Sequence, residues 1–374
     1  MFIIIALITV VLLLSYANGA NDISKGIATL IGSGITSYRK AIAWGTVWTI
    51  AGGLMASVFA YELVKTFSVA GIIDGSESFR QTFPIAVGLG AFAWVQFTAR
   101  TGLPVSTTHS ITGAIVGAGV AAVGAEGITW TFLGGKIFLP LLFSPLIALV
   151  VSYLLTPIVI RFSTRLERYC LCVGEKNPAL NPDMRGPVST MSPQNMIAGS
   201  GVTVSTKENC DETVEVSGQY GMLEILHWLS AGMASFARGL NDAPKIAALL
   251  LGAGALGTNL PVSVSFLIVA AAMGGGSFLA GLRVTETLSE KVTPMTPQEG
   301  FSANLTTSVL VTVASRLGMP VSTTHVSSGA IFGIGLKHGR RTVKWKTVTE
   351  MIFAWIITLP VSGLAAFSVY KLIY

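Results

Sequence analysis

The feature that most constrains this chain is an internal duplication of two polar motifs set in apolar sequence. SYANGANDISKGIATL, Ser15 to Leu30, returns as SFARGLNDAPKIAALL, Ser235 to Leu250, at an offset of 220. RTGLPVSTTHSITGAIVG, Arg100 to Gly117, returns as RLGMPVSTTHVSSGAIFG, Arg316 to Gly333, at an offset of 216. Two unrelated motifs repeated in one order at nearly one spacing mark a duplication rather than chance similarity. Polar motifs duplicated inside hydrophobic segments point to a transport protein whose site lies between its two halves.

The surroundings are those of a membrane. Of 374 residues, 51% are hydrophobic and 11% charged, with a mean hydropathy of +0.68, too few charges to cover a soluble surface of this size. Apolar stretches at about 2–34, 41–61, 82–98, 104–124, 132–160, 222–255, 260–282, 302–315, 318–336 and 347–372 lack the alternation of barrel strands. The expected class is an all-α integral membrane protein. MFIIIALITVVLLL has no basic region before it and runs straight into the first motif, so it reads as a retained first span rather than a signal peptide. The net charge of +6 reports loop topology, not nucleic-acid binding. Cys170, Cys172 and Cys210 read as free thiols, since no further Cys or His accompanies them at metal-ligand spacing.

The polar segment 161–221 divides the chain into an N-terminal membrane repeat, 1–160, and a C-terminal one, 222–374, and holds a short hairpin around GVTVSTKENCDETVEV. With both termini outside, loops 35–40, 161–221, 283–300 and 337–346 fall in the cytoplasm and carry fifteen Lys and Arg residues. The outer segments carry three, Lys65, Arg80 and Lys371. Under this assignment corresponding loops of the two halves face opposite sides, so the halves are inverted repeats. The stretch 2–34 would span about 50 Å as one helix, more than a ~30 Å hydrocarbon core needs, and is expected to break at Asn18 to Asp22. The pair 82–98 and 104–124, joined at Thr101 to Pro104, is either two crossings or a re-entrant hairpin.

Among the acidic residues only Asp22 and Asp242 lie deep in apolar segments, at matched positions. A carboxylate at that depth costs several kcal/mol unless paired, protonated or bound to a cation. With Asn21 and Asn241 and unwound backbone carbonyls they would supply hard oxygen ligands for sodium, or they would carry a proton. Lys25 and Lys245, three residues on, offer the competing role of a static ion pair; the Asn-Gly hinge favours the coupling role. PVSTTH supplies Ser106, Thr107, Thr108 and His109, then Ser322, Thr323, Thr324 and His325, each time after a Gly-x-Pro turn at a helix start. Hydroxyls and backbone N–H groups there suit a tetrahedral oxyanion, against the plainer role of N-capping. Arg100 and Arg316 either bind turn carbonyls or attract the anion; His109 and His325 read as hydrogen-bonded structural residues. GAIVGAG reads as close helix packing. No catalytic constellation, nucleotide loop or cofactor motif is present, so the chain is not expected to be an enzyme.

GANDISKG with its NDAPK partner, and the two copies of G-[LM]-PVSTTH, resemble the inorganic phosphate transporter family known as PiT over both halves. The resemblance implies an inverted-repeat secondary transporter in the cell membrane, working by alternating access, that carries phosphate with sodium or protons and acts as a homodimer among membrane lipids. Carried over motif by motif, Asp22, Asp242, Asn21 and Asn241 would serve the coupling cation, sodium included, and the two Asn also the anion. Ser106, Thr107, Thr108, Ser322, Thr323 and Thr324 would hold the anion. Lys25 and Lys245 are more basic than the family's usual continuation and leave sulfate or another tetrahedral oxyanion as the alternative cargo; an anion channel is the reading from another class. The orientation is testable: cysteines replacing Gly201 and Ser76 should react with impermeant thiol reagents only from the cytoplasm and only from outside, respectively. Labelling of both from one face would overturn the topology.

Overall fold

The structure is a computed structural model that describes residues 2–67, 72–73, 82–176, 200–206, 214–251, 260–339 and 341–373. Residues 252–259, residues 177–199 and 207–213 of the central segment, and most of the loop beyond Thr66 lie outside these residues. The first half contains α1 (Phe2–Asp22), α2 (Ser24–Gly32), α3 (Tyr38–Phe59), α4 (Tyr61–Thr66), α5 (Phe83–Thr101), α6 (Thr107–Val123) and α7 (Leu139–Leu166). The strands β1 (Tyr169–Lys176), β2 (Ser200–Thr206) and β3 (Val214–Gly221) follow. The second half repeats the helical order as α8 (Met222–Leu251), α9 (Val262–Ala280), α10 (Leu282–Glu290), α11 (Pro297–Arg316), α12 (Thr323–Lys337) and α13 (Trp345–Ile373). Five helical stretches among the described residues are long and apolar enough to cross a membrane, including Phe2–Gly32 taken as one. The protein is an all-α, multi-pass membrane protein with one small sheet appended.

The packing of the halves is reciprocal. α1 lies on α9 while its counterpart α8 lies on α3; α6 lies on α13 while its counterpart α12 lies on α7. Small residues set the last pair of contacts. A Cβ at Gly113 or Gly117 would fall 2.3 or 1.9 Å from the carbonyl oxygens of Leu359 or Gly363, so only glycine lets α6 and α13 touch backbone to backbone. The same spacing recurs at Gly329 and Gly333, against the carbonyls of Pro145 and Leu149 of α7. Without a hydrophobic driving force between helices in lipid, this close approach supplies the dispersion contact that holds them.

Three expectations need correction. The first helix breaks at Ile23, just past the predicted cluster, but Ile23 keeps helical angles (φ −55°, ψ −35°) and the Gly26 N–H simply bonds the Ile23 carbonyl at 3.2 Å. The second copy is continuous through Asn241 and Asp242, with Pro244 inside α8. Neither copy unwinds, because the extra length is covered by protein rather than lipid: every residue from Ala17 to Leu30, and from Ala237 to Leu250, is buried. The hairpin expected around 201–216 is not formed. β2 and β3 do not pair with each other; both pair antiparallel with β1, which the sequence reading had left as linker.

Both PVSTTH turns point into the protein. α5 ends at Gly102 (φ 80°) and α11 is followed by Gly318 (φ 67°), left-handed positions that glycine adopts without strain. Val105, Ser106, Val321 and Ser322, just beyond, are buried. Each turn therefore ends inside the protein rather than on its surface, as the tip of a re-entrant hairpin would. Gly117→Ala should therefore destabilise the protein by about 1–3 kcal/mol through overpacking against Gly363. Thermal unfolding in detergent checks this, with Gly134→Ala, whose added Cβ meets open space, expected to melt like the wild type.

Candidate functional site

The duplicated motifs meet at one buried cluster. The Asn18 Nδ2 amide lies 2.9 Å from Asp22 Oδ2, 3.0 Å from Thr107 Oγ1 and 3.3 Å from Asp242 Oδ2, so the carboxylates of both repeats share a single donor nitrogen. Thr107 in turn donates to Asp22 Oδ2 at 3.2 Å. Asp22 and Asp242 are 1% and 2% exposed, a depth at which unpaired carboxylates would be untenable.

Their counter-charges come from three residues further along the chain in each copy. Lys25 Nζ lies 2.6 Å from Asp22 Oδ1 and also donates to the Asn21 carbonyl at 2.7 Å and to Asn21 Oδ1 at 2.8 Å. Lys245 Nζ lies 3.4 Å from Asp242 Oδ1 and donates to Thr108 Oγ1 at 2.7 Å and to the Val321 carbonyl at 2.9 Å. The i+3 pairing weighed against the coupling role is thus formed in both copies.

The hydroxyls divide into three tasks. Ser106 and Ser322 cap α6 and α12, accepting the N–H of His109 and of His325 at 3.2 Å each. Thr108 donates to the Val321 carbonyl at 3.3 Å and Thr324 to the Val105 carbonyl at 2.7 Å, so each hairpin turn is tied to the other. Thr107 faces Asp22, and Thr323 makes no side-chain hydrogen bond among the described residues. The N–H groups of Thr107 and Thr108, and of Thr323 and Thr324, are first-turn donors with no partner within their helices. Asn21 and Asn241, expected to serve the anion, are occupied as braces. Asn21 Nδ2 donates to the Leu103 carbonyl at 3.0 Å and its Oδ1 accepts from the Val105 N–H at 3.3 Å. Asn241 Nδ2 donates to the Val321 carbonyl at 3.1 Å, and its Oδ1 accepts from Ser315 at 3.2 Å.

Arg100 and Arg316 are exposed; it is Arg283 Nη1 of α10 that binds the Arg100 carbonyl, at 2.6 Å. The His109 and His325 rings lie 4.6 Å apart between centroids, tilted by 45°, and the His325 ring lies 4.1 Å from that of Trp355. They line the polar corner of an otherwise apolar cavity of about 780 Å³ between α7 and α13. A second cavity, about 490 Å³, opens over the α11–α12 turn beside Glu62, Lys65 and Lys136.

Sequence reading missed Arg238. It is 1% exposed, its Nη2 donates to Ser277 Oγ at 3.3 Å, and its Nε and Nη1 have no hydrogen-bond partner among the described residues. Asn18 Oδ1 is likewise unpartnered. The signal was available: at the offset of 220, Arg238 falls on Asn18, so the duplication itself marks a position where a buried amide in one copy is a buried guanidinium in the other.

The model of the phosphate transporter family matches residues 18–366, a span that takes in both copies of both motifs. The chain belongs to this family. It is a family of transporters rather than enzymes, and its relatives cover the chain nearly end to end. Inorganic phosphate transporter 2-1 of Arabidopsis thaliana chloroplasts is 28% identical over 93% of this chain and 68% of its own length. A protein of Pyrococcus abyssi named as a phosphate permease is 28% identical over 97% of this chain and 96% of its own. A solved structure titled as the sodium-dependent phosphate transporter superposes with a TM-score of 0.75 at 22% identity, covering 100% of this chain and 99% of that one; the likeness is one of fold.

Asn21→Ala leaves the Leu103 carbonyl and the Val105 N–H of the first turn without partners. Each such buried group costs about 1–3 kcal/mol. The variant should melt well below the wild type in detergent; an unchanged melting temperature would mean that Asn21 does not brace the turn.

Proposed function

We propose that this member of the phosphate transporter family is a cation-coupled symporter of inorganic phosphate, driven by sodium or protons, that exposes one central site alternately to the two faces of the membrane. The observation that carries this reading is the meeting of two hairpin tips and two repeat-matched carboxylates at a single buried cluster. A symporter needs the anion site and the charge-compensating groups within reach of each other, because a multiply charged anion cannot enter a low-dielectric site alone. The relatives' names, as phosphate transporters and permeases, supply the cargo.

In this proposal the anion sits against the first-turn N–H groups of α6 and α12 and the hydroxyls of Thr107 and Thr323. Asp22 and Asp242 lie beside it and couple it to the cation. The caps Ser106 and Ser322, the latch residues Thr108 and Thr324, and the braces Asn21 and Asn241 hold the tips in register. Phosphate is favoured over sulfate because at neutral pH it still carries a proton to donate. The cluster offers an idle acceptor, Asn18 Oδ1, and carboxylates that a pure acceptor such as sulfate would face unfavourably. The two halves sit inverted in the membrane with both termini outside, a reading supported by the lopsided distribution of Lys and Arg and by the reciprocal packing.

Purified protein in liposomes provides the test. Phosphate should accumulate above its external concentration when a sodium or pH gradient is imposed and merely equilibrate when both are dissipated, and unlabelled phosphate should compete better than sulfate. Large passive anion currents indifferent to either gradient would favour a channel. Asp22→Asn and Asp242→Asn should each abolish accumulation while folded protein remains in the membrane. Wild-type uptake with unchanged cation dependence in both would remove the carboxylates from the mechanism.

A further inference from the structure

Three basic side chains sit inside the cluster, and the duplicated carboxylates do not need all of them. Asp22 and Asp242 bring two formal negative charges, while Lys25, Lys245 and Arg238 bring three positive ones. All five residues are at most 3% exposed. Each ammonium is bound by three oxygens, which uses all three of its N–H donors. Around Lys25 these are a carboxylate, a side-chain amide and a backbone carbonyl; around Lys245, a carboxylate, a hydroxyl and a backbone carbonyl. Carboxylate, carbonyl and neutral side-chain oxygen are also the donor set that binds a hard metal cation.

We propose that Lys25 and Lys245 are built-in cations filling the two oxygen cages that a bound sodium ion would otherwise occupy, so that phosphate binds this chain without sodium. The inference rests on the phosphate reading given above and narrows its choice of coupling ion. Geometry supports it in three ways. The two lysines stand at repeat-equivalent positions, so the substitution of a tethered cation has been made in both halves. Both ammonium groups are satisfied without the help of any ligand, so a sodium ion at the same oxygens would have to displace them or sit against their charge. The spare capacity at the cluster is of the opposite kind: Arg238 keeps Nε and Nη1 without partners, donors that suit an anion and repel a metal ion. A site already carrying one surplus positive charge needs no sodium ion to admit an anion, which leaves the proton as the coupling ion.

Titration calorimetry on the purified full-length wild-type protein, with inorganic phosphate as probe, tests this in sodium chloride against choline chloride at equal ionic strength. The dissociation constant should change less than threefold between the two salts; a saturable tightening of threefold or more by sodium overturns the proposal. Lys25→Ala and Lys245→Ala empty one cage each. Each should weaken phosphate binding at least tenfold in choline chloride and recover affinity on adding sodium, and affinity unchanged in both salts would also overturn the proposal. If either variant does not purify as a folded protein, the wild-type comparison decides alone. Failure of the wild type to bind phosphate in either salt is a separate result, which overturns the phosphate reading itself and this inference with it.

Discussion

Everything in this molecule is arranged around the cost of keeping two carboxylates away from water. Asp22 and Asp242 lie at most 2% exposed, and each is held by the ammonium three residues on, with the Asn18 amide spanning both. An ion pair in such a place is stable only with good geometry and with its remaining donors and acceptors filled. The fold meets that condition by bringing polar atoms from four helices and two turns to the same spot. The continuous burial from Ala17 to Leu30 and from Ala237 to Leu250 follows from the same demand. Polar helical segments that would be untenable in lipid are sheathed by the rest of the protein, and the more apolar helices α7 and α13 are left to meet the bilayer.

The hairpins serve this arrangement as much as they serve any ligand. Their turns could not enter the interior without partners for their backbone groups. Asn21 and Asn241 supply them from α1 and α8, and Thr108 and Thr324 supply them across the gap between the hairpins. Outside the cluster, close packing takes over. Glycine at matched places on α6 and α12 brings these helices against α13 and α7, fixing the far ends of the hairpins while the tips are fixed by hydrogen bonds.

What could be read from the sequence was whatever the duplication repeated. The two motifs, their matched carboxylates, the helical class and the paired glycines all carry a periodic or repeated signal, and the structure brings the motif residues together. What could not be read was how each polar atom is used, because that depends on which neighbour it meets. PVSTTH looks like one row of hydroxyls, yet alternate members cap, latch and face a carboxylate. Asn21 and Asn241 read as ligands, and in the structure their amides bond the turn backbone, since a buried turn competes for the same amide. The unwound hinge was inferred from helix length against bilayer thickness, an argument that fails when protein rather than lipid surrounds the helix. The hairpin in the central segment failed because strand pairing is non-local: the strand that joins β2 and β3 lies about thirty residues upstream of β2. Arg238 carries no repeated signal, because it stands at a position where the two copies differ.

The bonds of Lys25 and Lys245 differ as well. Lys25 binds only Asn21 and Asp22 at the end of the preceding helix, whereas Lys245 reaches Thr108 on one hairpin and the Val321 carbonyl on the other. A duplicated gene product invites the picture of a seesaw with equal arms, whose two positions have equal energy. Here one arm carries a clasp that the other lacks. Parting the hairpin tips would undo the Lys245 contacts along with the Thr108 and Thr324 latches, while the Lys25 contacts touch neither tip. Of the two lysines, the second copy's alone thus fastens the join between the tips, a lopsided clasp in a duplicated frame.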